Sequence, residues 1–377
     1  MVRQMDLKIH RTAVLKQNIS EASSKNIRIR HSMFWMVWML SCLVLVNGCS
    51  KKQPELSEVI KKTAAYQLQT VERPESASIG GEWTVLSVLG SGEEIPDSYG
   101  EIYLSNLKKR LKEQDGVLSE EKYTEYARAV LALVQLGEDP EEVDGYDLLV
   151  PLLDLERVTA QGINGAAFAL MAIDAAKPEI AVIQAKEADA ESEVGTDEGS
   201  DIEKSLPAEA KTDSDRIKEA KTELLAWILD RELPNGGFAL IEEEKSQADA
   251  DITAMVLQAL APYRELEEAA KVIDRAVNVL AQMQGEDGMY ESWGEKSCET
   301  VSQVMLALSV LEIDCETDVR FVKEEKGLYD VLLSFYDGNG GFAHVQDGET
   351  DPMATDQALC ALNAYQNFKE ESTASHE

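Results

Sequence analysis

One unit recurs along this chain and limits what it can become. It is a glycine–aromatic turn, a polar spacer, and a short apolar helix rich in alanine and leucine. The fullest copy spans residues 233–263. Pro234-Asn235-Gly236-Gly237-Phe238 is a turn that drops an aromatic ring into a packed interior. Asp249-Ala250-Asp251 is an acidic pair at the start of a helix, where a carboxylate accepts the unpaired N–H groups of the first turn. Residues 252–263 are apolar, and Ala254, Ala259 and Ala261 let a neighbouring helix come close. Asn339-Gly340-Gly341-Phe342 precedes a second such helix at 355–362, and Gly285 to Tyr290 precedes a third at 302–308. Upstream copies lie at 126–133 and 165–170, and the weakest is at 82–89. Most of the six copies are about 40 to 55 residues apart, the spacing of stacked supersecondary units.

Between these helices the pattern is one-sided. Residues 54–71, 101–114, 143–154, 216–231, 266–284 and 318–336 read as amphipathic helices. In the fifth, Val272, Ile273, Val277 and Leu280 share one face, while Glu268, Lys271 and Arg275 share the other. Apolar helices alternating with amphipathic ones predict an inner and an outer ring. Six pairs close an all-α α6/α6 toroid, a double-ringed helical barrel.

The motifs resemble a known superfamily. Gln284-x-x-x-Gly288-x-Tyr290 is similar to the Q-x-x-x-G-x-W repeat of squalene–hopene cyclases. Asp249-Ala250-Asp251-Ile252-Thr253-Ala254 is similar to their D-x-D-D-T-A acid motif, with Ile252 in place of the last Asp. The Gly-Gly-Phe turns resemble those of protein prenyltransferase β subunits. The wording T-A-M-x-x-Q-A-L at 253–260 is similar to the α6/α6 domain of cobalamin-binding transport proteins. The likeness covers about residues 78–367 and implies the α/α-toroid fold. It also implies that Asp251 stands where those cyclases hold the acid that protonates an alkene. Prenyltransferases of this fold hold zinc with Asp, Cys and His. Here His344 is alone in the repeats and Asp314-Cys315 falls at the wrong point of the unit, so no metal site is expected.

Charge excludes one class of partner. The 377-residue chain has a formal net charge of −34, the wrong sign for phosphate contacts, so no nucleic-acid partner is expected. The first 48 residues depart from this balance, with seven Lys/Arg and two Asp/Glu. Arg28 and Arg30 precede an apolar run of about 16 residues, short for a spanning helix and suited to a signal peptide. It ends at Val46-Asn47-Gly48-Cys49, which resembles a bacterial lipobox. Cys49 would then be the lipidated first residue of the mature protein. That predicts a signal peptide over 1–48, a tether over 49–55, and a body anchored by lipid at the extracytoplasmic face of the membrane. An uncleaved signal anchor is the alternative, and the long basic lead suggests a true start downstream of Met1. The toroid would occupy 56–368, with an acidic Ser/Ala/Gly-rich insertion at 184–215 that has too little apolar surface to order, and a flexible tail at 369–377. Cys298, Cys315 and Cys360 lack metal-type spacing. A Cys298–Cys315 bridge is open, but buried free thiols fit the apolar context better.

The candidate site residues fall into two sets. Asp249 and Asp251 are the only catalytic candidates, and three roles are open to them: helix cap, ligand contact or proton donor. A cap with some ligand contact is the expected one. Trp83, Tyr126, Tyr290 and Trp293 would line a central cavity, or else Trp83 and Tyr290 plug the layers. Gln161, Asn164, Glu299, Asp351 and Asp356 stand at the starts of apolar helices and would face one mouth of the barrel. An apolar cavity with a few polar groups is the form of a ligand site. The residues favour a binding module over an enzyme. Its ligand would be small, hydrophobic or cobalamin-like, held in the barrel mouth, and no cofactor is required. A terpene cyclase or prenyltransferase acting on an isoprenoid, and a cell-surface interaction module, are the alternatives.

Overall fold

The computed structural model describes residues 53–180, 211–241 and 246–374. The proposed lipobox and most of the acidic insertion lie outside them. Pro54–Glu377 is one compact unit. Its inner helices are α2 (Glu82–Leu89), α4 (Tyr123–Leu136), α6 (Ile163–Ala176), α8 (Ala250–Leu260), α10 (Cys298–Val310) and α12 (Pro352–Ala374). The outer elements are α1 (Leu56–Thr70), α3 (Asp97–Glu113), the short α5 (Leu155–Thr159), α7 (Asp213–Leu229), α9 (Glu267–Met283) and the short α11 (Leu328–Leu332). Each inner helix packs on the next, and α12 returns to pack on α2. The six inner helices therefore form a closed ring.

The alternation in sequence explains the layering. In α9, Ala269, Val272, Ile273, Ala276, Val277 and Leu280 are buried on one stripe. In α6 almost the whole surface is apolar, because an inner helix is covered by two ring neighbours and by the outer layer. The core lies between the rings.

The glycine–aromatic turns are wired alike. The Phe238 N–H donates to Thr253 Oγ1 at 3.0 Å, and the Asp249 N–H donates to the Phe238 carbonyl at 2.9 Å. In the last copy the Phe342 N–H donates to Thr355 Oγ1 at 3.0 Å, and the Asp351 N–H to the Phe342 carbonyl at 2.8 Å. Both rings are fully buried. Gly237 has φ +73°, and a Cβ there would lie 2.9 Å from Cβ of Ala248, so the turn needs glycine for both angle and space.

Four boundaries differ from expectation. The outer helix expected over 143–154 is a tight turn, with Asp144 and Gly145 at positive φ, then a 3-10 turn at Val150–Leu153 and α5. Pro151 lacks the N–H that a longer helix would use. The one expected over 318–336 opens with Glu324 and Glu325 at positive φ in another tight turn, leaving only α11 and a 3-10 turn at Leu333–Phe335. Helix α7 begins within the proposed insertion, because Thr212 and Asp215 form a capping box. Helix α12 runs on to Ala374, so residues 369–374 are helical rather than tail.

Candidate functional site

The loops leading into α8, α10 and α12 meet at the N-terminal mouth of the ring. Asp249, not Asp251, is the cap of α8: its Oδ1 accepts the Ile252 N–H at 3.1 Å. Its Oδ2 accepts from Ser292 Oγ at 2.7 Å, tying α8 to the loop before α10. That correction to the expected cap follows from the backbone. Asp249 is extended, whereas Asp251 already lies in the first helical turn.

Asp251 faces the same mouth. Its Oδ1 is buried without a hydrogen-bond partner. Burial pushes its pKa up, and the neighbouring Asp249 and Glu299 charges push the same way, against the Ser292 and Thr300 hydroxyls. The carboxyl is held toward its neutral form. Glu299, in the first turn of α10, accepts from His344 Nδ1 at 2.8 Å, while His344 Nε2 lies 3.3 Å from Glu295. Burial acts to lower the His344 pKa, but Glu299 and then Glu295 outweigh it and raise the value. Trp293 stands on the same loop as Ser292 and Glu295. It is 78% exposed, in a tight turn with φ +53°.

The structure thus brings Asp249, Asp251 and Glu299 together, whereas Trp293, expected to line the cavity, stands out into solvent on the adjoining loop. It adds Ser292, Glu295 and Thr300, for which the sequence offered no motif, and His344, noted in the sequence only for standing alone in the repeats. Asp351 lies at the same mouth, where it caps α12 by accepting the Ala354 N–H at 2.9 Å. Among the described residues, no group of three or more His, Cys, Asp or Glu is placed to hold a metal ion.

The remaining candidates lie elsewhere. Trp83 packs edge-on against Phe168 at 5.9 Å. Helices α2 and α6 are not ring neighbours, so this contact reaches across the interior, where Trp83 remains partly exposed. Tyr126 stacks on Tyr123 at 5.6 Å, and its hydroxyl accepts the Leu118 N–H at 2.9 Å. Tyr290 is fully buried as a plug. Gln161 accepts the Thr124 N–H at 3.0 Å, bracing α4. Asn164 keeps a buried, unpartnered Oδ1 at the start of α6. Asp356 is not at the mouth. It is buried at the seam where the ring closes, accepting from Thr84 Oγ1 at 2.7 Å, Ser87 Oγ at 3.2 Å and the Gln67 amide. Burial pushes its pKa up to about 7 despite those three hydrogen bonds. Cys298, Cys315 and Cys360 are free thiols, so no Cys298–Cys315 bridge forms.

Residues 206–377 match the family model of the prenyltransferase alpha-alpha toroid domain. That match takes in a little under half of the chain, and it agrees with the all-helical toroid seen in the structure. Over 149 residues, 39% of its length, it is 28% identical to the drimenyl diphosphate synthase of Streptomyces showdoensis. The match covers 27% of that relative, so the chain spans about a quarter of its length. A polysaccharide lyase structure superimposes with a TM-score of 0.55 at 10% identity, over 84% of this chain and 97% of that one, a likeness of fold alone. The ent-copalyl diphosphate synthase of Streptomyces platensis reaches a TM-score of 0.46 at 18% identity, over 76% of this chain and 50% of that one.

Proposed function

We propose that the toroid is a ligand-binding module whose recognition surface is the acidic mouth. The observation that carries this reading is the convergence of Asp249, Asp251, Glu295 and Glu299 beside the exposed Trp293, above an interior crossed by the Trp83–Phe168 contact. Such a mouth suits a small molecule with a flat apolar face for the indole and N–H groups for the carboxylates. A corrinoid, a flat ring edged with amides, is of that kind, and no cofactor is needed to hold it. The lipobox-like sequence before Cys49 supports attachment at the extracytoplasmic face. Among the described residues no helix is long and apolar enough to cross a membrane. Calorimetric titration with hydroxocobalamin tests the binding. We expect saturable heat that Trp293→Ala and Glu299→Gln each weaken at least tenfold with unchanged melting. No heat with the parent protein rejects a corrinoid ligand, and unchanged binding in both variants rejects the mouth. Membrane attachment is tested by Cys49→Ser, which should release the protein or leave its leader uncut.

One observation favours a second reading. Asp251 is a carboxyl held toward its protonated form in a motif similar to the acid of terpene cyclases, and a drimenyl diphosphate synthase is among the relatives. A proton-initiated cyclase would give that proton to an alkene. Incubation with squalene or shorter polyprenyl substrates, followed by mass spectrometry, decides the matter. A cyclised product formed by the parent and absent with Asp251→Asn would replace the binding reading.

A further inference from the structure

At the other end of the inner helices, where α6 and α8 finish, the structure holds a half-open cavity of about 570 Å³. Its walls include Met171, Ala175, Ile180, Ala259 and Leu266. Of the polar side chains that line it, Asp174, Lys221 and Tyr263 satisfy one another. Lys221 of α7 is almost fully buried, and its ammonium contacts Asp174 at 2.7 Å, the Lys177 carbonyl at 3.1 Å and the Ile180 carbonyl. All three of its N–H groups are used. The Tyr263 hydroxyl donates to Asp174 at 2.8 Å. Gln258 spends its amide hydrogens on the Ala254 carbonyl and on Gln303 Oε1 at 2.8 Å. Gln303 in turn donates to Gln357 at 3.0 Å, so the row of amides runs across three inner helices and fixes the orientation of the first.

The consequence, among the described residues, is a cavity with acceptors and no free side-chain donor. Gln258 Oε1 has no partner among the described residues, and the Tyr263 oxygen keeps a lone pair. Lys221 offers nothing to a ligand, and Glu265 on the rim adds negative charge. A carboxylate would meet no donor and would be repelled. A molecule with an aliphatic body would cover the walls, and one hydroxyl would find in Gln258 Oε1 an acceptor that no described residue uses. We propose that this cavity is a second ligand site, separate from the acidic mouth, selective for a neutral aliphatic alcohol over the matching acid.

The probe is 1-octanol, with octanoate as control and the methyl resonance of Met171 as reporter. Octanol should shift that resonance saturably, and octanoate should need at least tenfold more to do so. Ala175→Trp fills the cavity from a partly exposed position and should weaken octanol binding at least tenfold. Ala175→Leu, a smaller change kept in case the tryptophan variant does not fold, should weaken it several-fold. Gln258→Met removes the acceptor and should erase the preference for alcohol over acid. Asp251→Asn and Trp293→Ala at the mouth should leave octanol binding unchanged, which separates this site from the function proposed above. The inference is overturned by a Met171 resonance that does not respond, by equal octanoate binding, or by full octanol affinity in a folded Ala175 variant.

Discussion

Asp249 and Asp251 sit two residues apart, and their surroundings part them. The first accepts a backbone N–H of its own helix; the second has a buried oxygen with no partner. Asp249→Asn should be nearly silent, since asparagine caps a helix as well as aspartate does, while Asp249→Ala should cost about 1 kcal/mol in chemical denaturation. Asp356 makes a sharper case. Its folded pKa, about 7, lies above the ordinary value, so the native state holds its proton more tightly than the unfolded chain. Its contribution to stability is full below about pH 4 and is lost as the pH rises toward 7. Subtracting the melting profile of Asp356→Asn from that of the parent should leave a difference that declines across that window. A flat difference would show that the carboxyl ionises freely in the fold. None of this was legible in sequence. The partners of Asp356 lie 269 to 289 residues away, and an aspartate at a helix start reads as a cap whatever it later meets. The mouth was half legible. The acidic pair at the start of α8 stood out as a motif, whereas the Glu299–His344 contact joins the first turn of α10 to a loop 45 residues on.

The elements that sequence revealed most clearly are those with the same wiring. Phe238 and Phe342 are buried, and each is pinned through its N–H to a threonine on the following helix. Truncating either to alanine should cost about 3–5 kcal/mol, the usual range for a buried phenylalanine. Thr253→Val, which keeps the shape and deletes the hydroxyl, should cost about 1–2 kcal/mol by leaving a buried N–H unpaired. Near-neutral results in denaturant titrations would mean that the turns do not hold the layers together. Periodicity failed where a tight turn replaced a helix. The residues at 324–325 are both glutamates, good helix formers that carry no turn signal, yet both adopt positive φ. At 143–154 the Asp-Gly pair and the proline were visible, but the flanking leucines kept a helical spacing that masked them.

At the scale of the whole molecule, charge acts on every contact at once. With a net charge of −34, the folded body repels itself, and that repulsion is screened within about 8 Å at physiological ionic strength. Added sodium chloride should raise the melting temperature, and an unchanged value would show that the carboxylates are spread too thinly to matter. The ring itself sets a different constraint. Helix α12 meets α1 and α2 through residues almost the length of the domain apart. Such contacts form only after nearly all the chain between them is ordered or made, and they favour slow folding. Until then five inner helices can stack only as an open arc, with the faces of α2 and α10 bare to water. On a ribosome, the arc would wait for its last helix, and a chaperone would find its longest exposed target there.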